Sequence, residues 1–280
     1  MEHVTTENLF EHAKLIAGST VGWTASMGWM VLNSTLGAAL APVLPLRKRA
    51  YYLFQPAVGS CVRLMGSRVE AYYHPNFDAT RASVFCQNHV SVIDGHVACA
   101  TIPVRFCGLM NSWHFKVPGY GWIMRQVKGI GVAPKRADRT AFITAEAKKR
   151  ADEGISILTF PEGHRTTDGT VRPFRRGAFF MARDAGLPVV PLAVRGLFEI
   201  NRKGSMLFRR GGTVEVYLGE PIETAGLDDE QIAALAHRVH GIIADWVERG
   251  QLPEGTASIR PAVRPFYPLA DLYWQGPNGS

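Results

Sequence analysis

An α/β fold with a mixed, mostly parallel sheet covered by helices on both faces is the architecture this sequence predicts, preceded by an N-terminal membrane-associated helical segment. Three observations carry that prediction. From residue 68 onward short apolar runs alternate with stretches of helical period, and such alternation builds parallel or mixed sheets covered on both faces. Two of the runs, Ala82 to Gln87 and Ile155 to Phe160, read as strands buried in the core. Ahead of them, Leu15 to Leu46 contains no charged residue, although 20% of the whole chain is charged.

Composition sets the outer limits. With 280 residues and 46% hydrophobic content the chain has ample material for one large domain and an appendage, and it is not a disordered protein. A formal net charge of +7 and a pI near 9.4 favour anionic partners, whether nucleic acid, anionic lipid or phosphorylated substrates. The four cysteines, Cys61, Cys86, Cys99 and Cys107, have no disulfide-scaffold spacing, which places the chain in a reducing compartment.

Residues 1 to 14 are polar and amphipathic, with Glu2, Glu7, Glu11 and Lys14. In the charge-free run, Ser19, Thr20, Thr24, Ser26, Asn33, Ser34 and Thr35 keep hydrophobicity moderate. Roughly 20 apolar residues span a bilayer, and Asn33-Ser34 offers a bend. A single spanning helix and a hairpin re-entering one leaflet therefore fit equally, ahead of a buried soluble helix. A secretory signal fits poorly, because the leading segment is acidic and Pro42 follows the Ala39-Leu40-Ala41 candidate cleavage site. Arg47-Lys48-Arg49 closes the run, and by the positive-inside tendency the chain beyond it lies on the cytoplasmic face of the cell membrane. Tyr51 to Gly66 predicts a helix whose start Pro56 delays, with Tyr51, Phe54, Val58, Val62 and Met65 on an apolar face at the membrane interface. These segments make an N-terminal unit, 1–66. A catalytic domain, 67–252, and a Pro-rich C-terminal strap, 253–280, complete the organisation.

Within the domain, Arg68 to Tyr73 and Ala82 to Gln87 predict strands, Ile93 to Ile102 a helix and Val104 to Leu109 a strand. Trp113 to Lys128 has a helical pattern carrying Pro118-Gly119-Tyr120-Gly121 inside it, and Ile130 to Ala133 is a short strand. Asp138 caps a helix that Gly154 ends. Ile155 to Phe160 is a strand, Gly177 to Ala185 a helix stopped by Gly186, and Val189 to Val194 and Thr213 to Leu218 are strands. Asp228 to Arg249 is a long amphipathic helix with Ile232, Leu235, Val239, Ile243 and Trp246 inward. The tail holds five prolines with Phe266, Tyr267, Tyr273 and Trp274, which predicts an irregular strap packed on the domain.

Two stretches carry chemistry. Gln87 to Asp94 places His89 at a strand-to-helix corner. Residues five apart on one helix point about 140° away from each other, but with His89 in the turn and Asp94 in the first helical turn the carboxylate reaches back to the imidazole. Such a pair makes a general base: one ring nitrogen takes a proton and the acid fixes the tautomer. The plainer alternative is a helix capping box, Ser91-x-x-Asp94. The second stretch, Phe160-Pro161-Glu162-Gly163-His164-Arg165-Thr166, ends a strand, where ligands of open α/β sheets gather. Its turn presents Glu162 and Arg165, or else forms only a solvent-facing ion pair. Lys135-Arg136, and Arg172, Arg175 and Arg176 before a helix start, converge with it on a phosphate site. Cys86-x-x-His89 with His96-x-x-Cys99 is a weaker zinc alternative, since the residues straddle a strand and a helix with no shared loop. A non-catalytic anionic-lipid-binding membrane protein is another. Nucleic acid is disfavoured, because the basic residues form no aromatic-interleaved stripe.

Asn88-His89-x-x-x-x-Asp94, Gly131-Val132-Ala133-Pro134-Lys135-Arg136, Phe160-Pro161-Glu162-Gly163-His164-Arg165 and Val190-Pro191 resemble, in order and spacing, the four motifs of the glycerolipid acyltransferase family. Within it they look most like the bacterial 1-acyl-sn-glycerol-3-phosphate acyltransferases. Phe174-Arg175-Arg176-Gly177 and Phe115-Lys116-Val117-Pro118-Gly119-Tyr120-Gly121 extend the resemblance over roughly residues 68 to 220. It implies His89 as general base, Asp94 as its orienting acid, and Glu162 and Arg165 engaging an acceptor glycerol phosphate. Gly163, Lys135, Arg136, Arg175 and Arg176 complete the expected substrate site, with neither a metal nor a cofactor. The expected reaction moves an acyl group from acyl-CoA or acyl-carrier protein to the sn-2 hydroxyl of 1-acylglycerol-3-phosphate at the bilayer, or to another lysolipid such as lyso-ornithine lipid. Gly-x-Ser-x-Gly is absent, so transfer is direct, without an acyl-enzyme. Two departures bear on the acceptor: Lys135 stands where the family usually has an acidic residue, and His164 and Thr166 where it usually has Thr and Ser.

Overall fold

Eight strands form one sheet in the order β4-β3-β5-β2-β6-β7-β1-β8, in a computed structural model that describes residues 6–49, 53–133, 137–251 and 261–263. The strands are β1 (Arg68–Tyr73), β2 (Val84–Gln87), β3 (Phe106–Asn111), β4 (Ile130–Val132), β5 (Ser156–Thr159), β6 (Val189–Arg195), β7 (Thr213–Leu218) and β8 (Pro261–Val263). From β4 to β6 all neighbours run parallel, β7 is antiparallel to β6, and β1 returns parallel to β7. The sheet is thus mixed and mostly parallel. β8 pairs antiparallel with β1; the rest of the predicted strap lies outside the described residues.

Alternate residues of the central strands enter opposite cores. Val84 and Cys86 pack into a cluster with Phe179, Val239 and Ile243, whereas Phe85 packs with Ile93, Val97 and Val216 on the other face. Helices α6 (Arg139–Asp152), α7 (Gly177–Asp184) and α9 (Asp229–Ala244) cover the first face. α4 (Asp94–Thr101) and the short α8 (Leu197–Ile200), which the sequence patterning does not predict, contribute to the second. α9 begins on a capping box between Asp228 and Gln231 and buries Ile232, Leu235, Val239, Ile243 and the adjoining Trp246, as its periodicity predicts.

Between residues 112 and 126 the expected single helical pattern breaks. A 3₁₀ turn, Ser112–Lys116, is followed by α5 (Tyr120–Gln126). Pro118 has no N–H to donate and drives Val117 to an extended conformation (φ −70°, ψ 122°), so the helix cannot run through.

The N-terminal unit also departs from expectation. α1 (Thr6–Ala39) runs unbroken through Asn33-Ser34, without the bend of a hairpin. At 34 residues it is about 51 Å long, and Leu9–Ala39 is long and apolar enough to cross a membrane. Its sidedness is partly inverted relative to a helix on a soluble core: Ser19, Gly22, Ser26, Asn33 and Ser34 face the protein along with Met30, while Phe10, Val21, Leu32 and Leu36 are exposed along with Thr20, Thr24 and Thr35. After the short α2 (Leu46–Arg49), Arg49 ties the end of α1 down, donating to the carbonyls of Gly37 at 2.9 Å and Leu44 at 2.9 Å and to Gln126 at 3.0 Å. α3 (Gln55–Leu64) starts at Gln55 with Pro56 in its first turn. Phe54, Val58, Val62 and Met65 are buried in the protein and do not form the interfacial face expected of them; Tyr51 lies outside the described residues. The reason is a close crossing of α3 on α4. A Cβ on Gly59 would stand 2.8 Å from the Ala100 nitrogen, so the two backbones are in contact.

Candidate active site

β2 and β5 run parallel with Cys86 opposite Thr159. The chain therefore leaves both strands at the same edge, and three residues further along each stand His89 and Glu162. Asn88 extends the β2–β6 ladder with its side chain, accepting from Val194 N at 2.7 Å and donating to Val194 O at 2.9 Å. That bond pins the corner where the strand ends.

His89 Nδ1 lies 2.6 Å from Asp94 Oδ2. The buried carboxylate also accepts from Val90 N at 2.8 Å and Ser91 N at 3.1 Å. Its partners are thus the amides of the corner itself, upstream of α4. α4 has no side-chain capping bond, and Ser91 Oγ instead donates to Asn201 Oδ1 at 2.6 Å. Half of the capping box is present, the Ser91 N bond to Asp94, with Ser91 Oγ accepting from Ile93 N at 3.3 Å and not from Asp94 N, so the carboxylate serves the corner amides and the imidazole together. With Asp94 accepting the Nδ1 proton, Nε2 carries the lone pair, and it has no hydrogen-bond partner among the described residues. Phe160 stacks on the imidazole at 4.2 Å between ring centres, and 25% of the His89 side chain stays exposed.

Glu162 does not project from its turn. Oε1 accepts from His89 N at 2.7 Å and Oε2 from Arg172 N at 3.0 Å, so the side chain joins the His89 corner to the segment leading into α7. Burial raises its pKa to about 7 and outweighs the two amide bonds, which favour the charged form. Thr166 N donates to His89 O at 2.7 Å, a second tie between the two motifs.

Gly163 adopts φ +77°, a left-handed conformation that an L side chain rarely takes. Arg175 fills the space a side chain there would occupy: its guanidinium carbon is 3.0 Å from the ideal Cβ position. Arg165 is half-buried, and Arg175 and Arg176 are exposed at the start of α7. Among the described residues none of the three has a carboxylate partner. Arg172 is tied to Thr167 Oγ1 at 3.0 Å. Lys135 and Arg136 lie outside the described residues; β4, which leads to them, is two strands from β5 on the same sheet.

Sequence reasoning missed His114. Its Nδ1 is 3.0 Å from Asn111 O and its ring stacks on Trp113 at 4.0 Å. Burial lowers its pKa, the Asn111 bond opposes this, and the charges of His89 and Arg165 lower it further. The signal was its position next to the Phe115-to-Gly121 segment. The zinc alternative finds no support in the geometry. His89 Nδ1 is committed to Asp94, Cys86 is buried within β2, and His96 is buried against Tyr120 with both ring nitrogens unpartnered. Among the described residues no three His, Cys, Asp or Glu side chains are placed to hold a metal.

Residues 68–195 match the family model described as Acyltransferase. The mouse 1-acyl-sn-glycerol-3-phosphate acyltransferase alpha is 27% identical over 214 residues, covering 76% of this chain and 75% of that one. The chloroplastic 1-acyl-sn-glycerol-3-phosphate acyltransferase BAT2 of Brassica napus is 33% identical over 144 residues, half of this chain and 40% of the relative. The chain thus spans under half the length of that plant relative. In fold it is similar to the crystal structure of the 1-acyl-sn-glycerophosphate (LPA) acyltransferase PlsC from Thermotoga maritima. The TM-score is 0.73 at 21% identity, over 85% of this chain and 96% of that one.

Proposed function

This chain belongs to the glycerolipid acyltransferase family, and from that premise we propose that it transfers a fatty acyl group from acyl-CoA or acyl-carrier protein to the sn-2 hydroxyl of 1-acylglycerol-3-phosphate. The product is phosphatidic acid, made for phospholipid biosynthesis. The observation that carries this reading is the His89 imidazole, held through Nδ1 by Asp94 at 2.6 Å with Nε2 left to take a proton. The acceptor oxygen attacks the thioester carbonyl as Nε2 takes its proton. Asp94 stabilises the imidazolium. The tetrahedral centre then collapses, the carbon–sulfur bond breaks, and the thiolate takes the proton from His89 and leaves as thiol. No step of this reaction calls on a resident cofactor.

Arg165, Arg175 and Arg176 supply positive charge for the acceptor phosphate and the donor's anionic groups, with Gly163 giving close backbone approach and Lys135 and Arg136 adding to the same field. Glu162 serves as a positioning residue, because both its oxygens are occupied by backbone amides. Of the two departures in the third motif, Thr166 is buried with its hydroxyl on Asp168, so only the exposed His164 bears on the acceptor.

The partly inverted face of α1 supports membrane association. Large apolar side chains turned outward and small or polar ones turned inward are the arrangement expected where lipid replaces water. On this reading 1–66 is membrane-associated, 67–252 catalytic and 253–280 a strap. The Arg47-to-Arg49 cluster supports a cytoplasmic orientation. The test is formation of phosphatidic acid by the purified full chain from lysophosphatidic acid and acyl-CoA. His89→Ala should lower turnover roughly 10²- to 10⁴-fold. Asp94→Asn should also fall well below the parent, with near-parental melting for both. Full activity in Asp94→Asn would refute the dyad, and turnover of lyso-ornithine lipid alone would move the acceptor.

A further inference from the structure

We propose that the segment Asn201–Gly212 is a contact for anionic lipid headgroups, seated in the polar layer of the bilayer that receives α1; the proposal rests on the membrane reading of α1. The segment reads Asn-Arg-Lys-Gly-Ser-Met-Leu-Phe-Arg-Arg-Gly-Gly, with four cations and no acid. Arg202, Lys203, Arg209 and Arg210 are all exposed, and among the described residues none forms an ion pair. Between them stands Met206, 57% exposed. A solvated loop commonly mixes signs of charge. Arg202 lies over the Phe198 ring at 4.9 Å and Arg210 donates to Gly18 O at 3.5 Å, so neither has its charge neutralised by an acid. Cations without carboxylate partners bracketing an exposed apolar side chain have the composition of an interfacial element.

The segment is fixed beside α1. Trp23 Nε1 donates to Met206 O at 2.8 Å, and Phe208 N donates to Ser19 Oγ at 2.8 Å. The Trp23 and Phe208 rings meet edge to face at 5.3 Å. The alkyl stem of Arg210 lies along Gly18 and Gly66, carrying its guanidinium along the helix surface. On the far side, Gly211 N donates to Gly66 O at 2.7 Å. Met206, Phe208 and Arg210 are therefore held at the level of residues 18 to 23 of α1, near its exposed Val21, with Arg202, Lys203 and Arg209 on the same short segment. A bilayer that takes up that face brings its headgroups to the same cluster.

The experiment is flotation of the full-length protein with vesicles of phosphatidylcholine alone, or mixed with phosphatidylglycerol, at low and high salt. The parent should prefer the acidic vesicles by at least about tenfold, since each cation near the surface contributes roughly fivefold, and salt should abolish the preference. Gln at all four positions, Arg202→Gln, Lys203→Gln, Arg209→Gln and Arg210→Gln, should keep binding to neutral vesicles and lose the preference. The pair Lys148→Gln and Arg238→Gln, on α6 and α9, should retain it. A fourfold variant with parental preference overturns the proposal, as does a parent indifferent to lipid charge. Acyl transfer to a dispersed short-chain lysophosphatidate separates bulk lipid from substrate: the fourfold variant should keep the parent's turnover. A large loss there would instead assign these cations to the acceptor phosphate. Absence of the parent from both kinds of vesicle would reject the membrane reading itself, while turnover on the dispersed acceptor would leave the catalytic reading standing.

Discussion

Glu162 is nearly fully buried, yet its two partners are backbone amides and not a cation. A carboxyl whose pKa is raised on folding stabilises the native state fully below its unfolded pKa near 4.5, and that contribution is lost as pH rises through about 7. The difference across the window is roughly 3 kcal/mol at most. Glu162→Gln has no such titration, so the parent's thermal midpoint relative to the variant's should be higher at pH 5 than at pH 8. The amide also offers only one acceptor for two N–H groups. Loosening of the His89 corner should appear as roughly a tenfold fall in kcat with little change in acceptor KM. A rise in acceptor KM at constant kcat would put Glu162 on the substrate instead. The His89–Asp94 contact was legible because a strand-to-helix corner lets the carboxylate of the first helical turn reach back to the imidazole, although the same spacing also fitted a capping box. The inward turn of Glu162 was not. Pro161 and Gly163 read as an exposed turn, and the amides that hold Glu162 come from residues 73 positions before and 10 after it.

Elements meet where side chains are small or polar, and two such junctions support the corner. Gly59 lets α3 cross α4 in backbone contact. Gly59→Ala should force the helices apart and destabilise the protein by about 1–3 kcal/mol, seen as a lowered thermal midpoint. The second junction runs from Ser91 to Asn201, whose amide donates to Ser205 O at 3.1 Å and Leu207 O at 3.0 Å. Ser91→Ala and Asn201→Ala should each lower kcat several-fold, the double variant should be little worse than either, and Ser91→Thr should recover activity. Additive losses would mean the two act separately. β1 to β7 were legible from their sequence runs, to within two residues at their ends, whereas β8 lies in the stretch expected to be an irregular strap. The break at Pro118, α8 and the burial of the α3 face were not legible. Each depends on a neighbour far off in sequence, and an apolar stripe looks alike whether it meets lipid or protein.

At the scale of the molecule, α1 is both an outer surface and a part of the packed structure. Met30 joins Phe54, Val58 and Ile123 in a buried cluster, and Gln126 Nε2 donates to Ser34 at 3.4 Å. Removing residues 1 to 49 should therefore abolish turnover on a dispersed acceptor as well as on vesicles, with loss of cooperative melting. Retained activity on the dispersed acceptor would show α1 to be a detachable anchor. The charge-free run made a long apolar helix legible, but composition could not say which face of the helix looks outward. On the membrane reading, that outward apolar face also bears on the order of biosynthesis. α1 is made before the sheet, and Met206 and Phe208, which bind Trp23 and Ser19, come 183 and 189 residues later. At common synthesis rates that is a wait of roughly 10–40 s. During it, the N-terminal half of the helix lacks these two partners, although Ser60 of α3, which accepts from Trp29 Nε1 at 2.9 Å, follows after only 31 residues. A nascent chain already lodged in the membrane keeps its apolar side chains from aggregating until the last of the sheet emerges.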